Sequence, residues 1–207
     1  MARVYEHEKL EELAKYSDKP VINGLSNLLH PCQALADIYT IIEKKGCPSR
    51  LKIVFIGDGG DNVFHSLLLG LAHFGCRIVL SSPKGYDPDK RVMEWFNEIS
   101  GRTGAELDIE REPYKAVEGA DVVYTDVWVS MGQESERERR LRELRPYQVN
   151  KELMEHAKWD AIFMHCLPAH RGEEVTDEVI DGRWSVVWDQ AENRLHSQKA
   201  VLAHLIV

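Results

Sequence analysis

From Leu51 onward, short runs rich in β-branched residues alternate with segments whose apolar residues recur at helical spacing. This alternation confines the chain to a parallel sheet covered on both faces. The strand-like runs fall at 52–57, 77–81, 105–109, 121–126 and 161–165, with a weaker sixth at 185–188. Between them lie helical patterns such as VFHSLLLGLAHFG and DPDKRVMEWFNEIS, the second opened by Asp87 and Pro88. The expected fold is α/β and doubly wound: a mainly parallel, Rossmann-like sheet of about five strands with helices on both faces. Right-handed crossovers bring the carboxyl ends of such strands to one edge, and ligands are expected there.

Residues 1–50 read differently. HEKLEELAKY places Leu10, Leu13 and Ala14 at helical spacing, and a second helix is expected after HPCQ, with Pro31 in its first turn and Gly46 and Pro48 ending it. The formal charge of -8, from 26 Lys and Arg against 34 Asp and Glu, argues against unspecific attraction to nucleic acid or an anionic membrane. Cys32, Cys47, Cys76 and Cys166 are too scattered for a paired metal motif or a disulfide scaffold, so a reducing, cytoplasmic setting is the default. The first residues become charged before the apolar core of a signal peptide develops. No stretch reaches the roughly 18 apolar residues of a membrane span. The charged run from Glu134 to Arg145 reads as a solvated helix with compensating pairs.

The residues that could carry chemistry follow the strands. Gly57 to Asn62, GDGGDN, departs from the dinucleotide fingerprint, and the next strand ends in SSP rather than in an acidic residue for a ribose, so no nicotinamide cofactor is expected. Its glycines either serve tight strand-to-helix geometry or leave Asn62 to present an amide to a polar substrate. In TDVWVSMG, Asp126 could accept hydrogen bonds from an ammonium, while Ser130 and nearby backbone amides hold a carboxylate. A free amino acid requires that pair of receptors, although Asp126 reads equally well as a cap or loop-structuring residue. His165, Cys166, His170 and Arg171 cluster in HCLPAHRG without zinc spacing. A Cys166–His165 nucleophilic pair is opposed by the opposite facing of strand neighbours unless the chain turns at Pro168. His30 and Gln33 straddle a helix start, where imidazole and amide could converge on a carbonyl oxygen or serve merely as cap and surface groups. Arg194 could bind the same oxygen or an anion, or simply lie at the surface.

HPCQALAD at 30–37, DVWVSMGQE at 126–134, HCLPAHRGEEV at 165–175 and ENRLHSQKAVL at 192–202 resemble, in the same order, the signature segments of the ornithine carbamoyltransferase family. The resemblance implies that the neutral δ-amine of ornithine attacks the carbonyl carbon of carbamoyl phosphate, and that a tetrahedral intermediate then expels phosphate to leave citrulline. It implies neither an organic cofactor nor a metal. By the same resemblance His30 and Gln33 bind the carbamoyl group and Arg194 helps polarise it. Asn62, Asp126, Ser130 and Met131 receive the α-amino and α-carboxylate groups of ornithine. Cys166 and Leu167 line the path of the δ-amine, with Cys166 an orienting group rather than a covalent nucleophile.

The family's Ser-Thr-Arg-Thr-like phosphate-binding segment has no counterpart before His30. The chain is therefore expected to be the C-terminal, ornithine-binding portion, inactive alone, with most of the carbamoyl-phosphate half missing. Residues 1–50 would belong to or bridge toward that half, 51–190 would form the ornithine-binding domain, and 191–207 would be a terminal helix packing between domains. The expected partners are L-ornithine, carbamoyl phosphate only where the missing domain is supplied, and a second copy of the chain through exposed apolar faces. The alternatives are an ornithine or diamine binding module without turnover, or a structural fragment; transfer to putrescine or acetylornithine fits the DVWVSMG and HCLP segments less well. One departure is Asp61, where the family commonly has asparagine. Its charge could attract an ammonium, cap a helix, or disfavour a carboxylate.

Overall fold

The computed structural model describes residues 1–130 and 132–206. The chain begins with β1 (Ala2–Arg3), α1 (His7–Tyr16) and β2 (Asn23–Leu25), and the two short strands pair in parallel. Sequence patterning showed the helix but not the strands, which are too short to display a period. Next comes α2 (Pro31–Lys45), with Pro31 at its first position and Gly46, φ 85°, closing it, as the Pro and Gly spacing predicts.

The remainder alternates: β3 (Lys52–Ile56), α3 (Asn62–Ala72), β4 (Arg77–Ser81), α4 (Lys90–Thr103), β5 (Glu106–Ile109), α5 (Pro113–Val117), β6 (Val122–Thr125), α6 (Arg137–Leu144), α7 (Lys151–Glu155), β7 (Ile162–His165), α8 (Asp177–Ile180) and α9 (Val187–Ile206). The five strands β3 to β7 form one parallel sheet in the order β5-β4-β3-β6-β7. The chain winds outward from β3 to β5, then returns to place β6 on the other side of β3. Such a reversal opens a crevice beyond the carboxyl ends of β3 and β6. The turn 57–62 follows β3, and Asp126 follows β6.

Both faces are buried at β3, β4, β6 and β7, which is why those strands are almost continuously apolar, whereas the edge strand β5 leaves Glu106, Asp108 and Ile109 exposed. Ile53, Phe55, Ile78, Leu80, Val122 and Tyr124 pack with Ile41, Phe64, Leu67, Leu68 and Leu71 of α2 and α3. The alternate residues Val54, Ile56, Val79, Val123 and Phe163 pack with Val117, Leu153, Val179 and Val187 on the opposite side. Phe55 stacks on Tyr124 with ring centroids 5.5 Å apart and meets Phe64 at 4.9 Å. α2 lies between α3 and α9 on the first face.

Two expectations fail. The run 185–188 is not a sixth strand: Ser185 makes only an isolated bridge to Phe163, and Val187 already begins α9. Its two valines are apolar because a helix start packs there, and a short apolar run cannot distinguish the two cases. Asp87 and Pro88 do not open α4 either. Asp89 is the cap, accepting from Arg91 N at 2.8 Å, while Asp87 pairs with Arg111. Among the described residues no helix is long and apolar enough to cross a membrane.

Candidate active site

A cavity of about 680 Å³ opens at the carboxyl edge of β3 and β6. His30, Gln33, Asn62, Asp126, Ser130, Cys166, Leu167 and Arg194, separated by up to 164 positions in the chain, all line it. Met131 lies outside the described residues.

His30 and Gln33 stand at the start of α2, and Arg194 reaches them from α9. Arg194 Nη1 donates to Gln33 Oε1, and Gln33 Nε2 donates to Asp37 Oδ1 at 2.8 Å. Asp37 is completely buried and also accepts from Gln190 Nε2 at 2.7 Å and the Tyr124 hydroxyl at 3.0 Å. Burial outweighs these bonds and lifts Asp37 to a pKa of about 7. Asn193 adds a bond to Thr40 at 3.0 Å and Asp189 pairs with Lys44 at 2.9 Å, so Asp189, Gln190, Asn193 and Arg194 fasten α9 to α2 at one-turn intervals or less. The backbone N–H of His30 donates to Ser66 Oγ at 2.6 Å, and its Nδ1 is buried without a partner. Burial first, then the charges of Arg194 and Arg3, lower His30 to about 4, so its ring is neutral at pH 7. Arg3 also lines the cavity, in a segment too short to flag it from sequence.

The second group of side chains stands on turns. Asp126, 8% exposed, accepts from Val127 N at 2.7 Å and from the Cys166 thiol at 2.9 Å, both on Oδ1. Burial and the Asp126 charge push Cys166 well above the usual thiol range, so it remains a protonated donor rather than a thiolate. Asp61 is buried beside this pair and is driven well above the carboxylate range by burial and then by Asp126. Asn62 donates Nδ2 to the Ser26 carbonyl at 2.7 Å, which ties the N-terminal segment to α3. Ser130 N donates to Gln133 Oε1 at 3.0 Å. At Gly132, φ 89°, a side chain would be strained, and its Cβ would lie 2.9 Å from the Tyr5 hydroxyl, which would have to shift.

Behind Cys166 the chain turns sharply at Leu167, whose φ of 59° costs a non-glycine residue roughly 1–2 kcal/mol. Leu167 N donates to His165 Nδ1 at 2.9 Å, which leaves the ring hydrogen on Nε2 to meet Glu174 Oε1 at 3.2 Å. His165 and Glu174 are both fully buried. His165 is thereby occupied in holding the turn, and the thiol points its hydrogen at Asp126, so the two do not form a nucleophilic pair. Asp126, His165 and Cys166 bring donor atoms within 4.8 Å of one another, as do His170, Glu173 and Glu174. In the first set Cys166 donates to Asp126, and the His165 ring is taken up by Leu167 N and Glu174. In the second, Glu173 is already paired with Arg137.

Arg140 was hidden in the charged run. It is 5% exposed, pairs with Asp58 of the glycine-rich turn, donates Nε to the Trp128 carbonyl at 2.6 Å and lies over the Tyr86 ring at 5.0 Å. Asp58 in turn accepts from Gly60 N at 2.8 Å. This anchor joins the turn after β3 to the loop after β6. A helix whose other charges are solvated gives no sequence signal for the one that points inward.

Known proteins match this arrangement closely. The family profile described as "Aspartate/ornithine carbamoyltransferase, Asp/Orn binding domain" matches residues 49–205. The profile "Aspartate/ornithine carbamoyltransferase, carbamoyl-P binding domain" matches residues 1–43. The expectation that the chain holds only the C-terminal, ornithine-binding portion is therefore corrected, because its first residues match the carbamoyl-P binding domain. The ornithine carbamoyltransferase of Staphylothermus marinus is 70% identical over 207 residues, covering 100% of this chain and 66% of that protein. That of Pyrococcus horikoshii is 58% identical over 206 residues, covering 100% of this chain and 65% of that protein. The solved ornithine carbamoyltransferase of Pyrococcus furiosus superposes with a TM-score of 0.92 at 59% identity, over 98% of this chain and 64% of that one. The chain thus spans just under two thirds of the length of the curated relatives it matches. Matches to both profiles, on a sheet whose reversal point gathers the four signature segments around one cavity, lead to one assignment: the chain belongs to the aspartate/ornithine carbamoyltransferase family.

Proposed function

We propose that the cavity binds L-ornithine and holds it for carbamoyl transfer from carbamoyl phosphate, with L-citrulline and phosphate as products. The observation that carries this reading is that an acceptor for a cation, Asp126, lines the same cavity as donors for a carbonyl oxygen, His30, Gln33 and Arg194. The α-ammonium lies against Asp126, and the α-carboxylate against the Ser130 hydroxyl and the second N–H of the Asn62 amide. The δ-amine passes Cys166 and Leu167 toward the carbonyl carbon. Negative charge developing on the carbonyl oxygen meets Arg194, Gln33 and a neutral His30 ring. A neutral ring polarises that oxygen without placing a third cation beside Arg194 and Arg3. Most of the rate advantage in such a transfer comes from holding amine and carbonyl in an attacking geometry and from these fixed donors.

Within this proposal residues 51–190 form the ornithine-binding domain, and α9 contributes Arg194. A homo-oligomer covers the α2 stripe of Leu35, Tyr39 and Ile42, which are 47%, 45% and 41% exposed. The test is calorimetric titration of the chain with ornithine, with and without carbamoyl phosphate, followed by a citrulline assay on the same sample. Ornithine is expected to bind, and Asp126→Asn to weaken binding by about tenfold or more, the worth of a charge-assisted hydrogen bond. Absence of ornithine binding under both conditions sinks the proposal; binding without citrulline retains the ornithine site and rejects turnover by this chain alone.

A further inference from the structure

Asp61 ends the glycine-rich turn and begins α3. It is 6% exposed, it lines the cavity, and its Oδ2 has no hydrogen-bond partner. Asp126 lines the same cavity, and its charge bears on Asp61. Two ionised carboxylates so placed repel each other, and neither can donate a hydrogen bond. The charged groups that bear on Asp61 are both carboxylates, Asp126 and Asp58. Arg140, the cation in this neighbourhood, is committed to Asp58 and to the Trp128 carbonyl. Cys166, on the third side, is a protonated thiol that already donates to Asp126. The pair is thus relieved by a proton on Asp61, which burial and the Asp126 charge both favour.

We propose, resting on the ornithine reading above, that Asp61 is a specificity-determining residue: its unpartnered Oδ2 and the Asp126 carboxylate, which line the same cavity, form a two-carboxylate receptor for the substrate's α-ammonium. Binding exchanges the proton on Asp61 for the ammonium, and the exchange is balanced. A carboxylic acid, a carboxylate and a free ammonium become two carboxylates, a bound ammonium and one proton released to solvent. An ammonium has three donors, enough for Oδ2 of Asp61 and an oxygen of Asp126 together, whereas an Nα-acylated amino acid has one neutral N–H and cannot displace the proton. The receptor therefore selects amino acids with a free α-ammonium.

The experiment is calorimetric titration with L-norvaline, which has the α-groups of ornithine and no δ-amine. Carbamoyl phosphate is present in both cell and syringe, and two buffers of different ionisation enthalpy count the protons released. At about pH 6.5 an α-amino group stays protonated, so protons released on binding come from the protein. The unaltered chain is expected to release close to one proton per norvaline, and Asp61→Asn close to none. The preference for norvaline over Nα-acetyl-norvaline is expected to fall by about tenfold in Asp61→Asn. Norvaline binding to both proteins with no proton released from either overturns the role of Asp61 and leaves the ornithine site standing. Failure of norvaline and ornithine to bind to either protein overturns the ornithine reading and this proposal together. Should the variant not fold, the proton count of the unaltered chain decides alone.

Discussion

Gln33 and Arg194 stand on helices and are wired through Asp37 to Gln190 and Tyr124, with His30 capping the helix that carries Gln33, whereas Asp61, Asp126 and Cys166 stand on turns and crowd acidic groups together. The first group has its geometry set by protein partners before any ligand arrives, the arrangement that lets fixed donors stabilise developing charge without reorganising. In the second, burial and like charge leave an acidic cluster whose best partner is a cation from outside. One cavity thus joins a preorganised wall to a wall completed by its ligand.

Removing the anchor that ties together the turns of the second wall should have the largest effect. Arg140→Ala leaves Asp58 buried and unpaired, and chemical denaturation is expected to show a loss of about 3–5 kcal/mol. A loss below about 1 kcal/mol would mean that water reaches Asp58 and that the loop after β6 is held by other contacts.

The helix-borne wall is probed by pH. Asp37 binds its proton more tightly folded, at about 7, than unfolded, at 3.8, so between about pH 4 and pH 7 the unfolded chain loses that proton first and stability falls as pH rises. His30 runs the other way: its folded value of about 4 lies below 6.5, so its contribution is lost as pH falls through that interval. The difference between the unaltered chain and Asp37→Asn isolates the first effect. The variant should gain relative stability with rising pH, at no more than about 1.4 kcal/mol per pH unit, the limit for one proton. A flat difference would show that Asp37 is ionised throughout.

A smaller change is expected in the ligand-completed wall. Gly132→Ala forces a side chain into a left-handed backbone and against Tyr5, costing roughly 1–2 kcal/mol and weakening ornithine binding by a similar amount. Unchanged affinity would separate this loop from the site. Smallest of all, Arg171→Ala removes exposed pairs with Asp177 and Asp181 and should shift stability by no more than about 1 kcal/mol, with ornithine affinity unaltered.

The same contrast governs what could be read in advance. Four of the sheet strands were legible as short apolar runs bounded by polar turns, and β5, with Glu106 and Asp108 in it, only from its place in the strand–helix alternation; the site residues at the strand ends followed from the sheet's reversal and the signature segments. The relay through Asp37, Tyr124 and Gln190 was not legible, since it joins residues up to 153 positions apart whose chain neighbours are unremarkable helix and strand formers. Arg140 failed for a related reason: identical charges surround it, and only tertiary placement makes it the inward one. Asp87 and Asp89 both precede α4, and only the backbone reveals that it is Asp89 whose carboxylate meets Arg91.

The fastening of α2 by α9 also sets an order of assembly. Gln190 meets Asp37 and Asn193 meets Thr40 across 153 positions, and Arg194 meets Gln33 across 161. Closing so large a loop precedes any reward from the contact, so such pairings form late. During synthesis the strands from β3 to β7 emerge and can associate while α2 still waits for its partner. The wall of His30, Gln33 and Arg194 is then the last part of the cavity to be built, and a nascent chain acquires its acidic cluster before the arginine of the opposite wall.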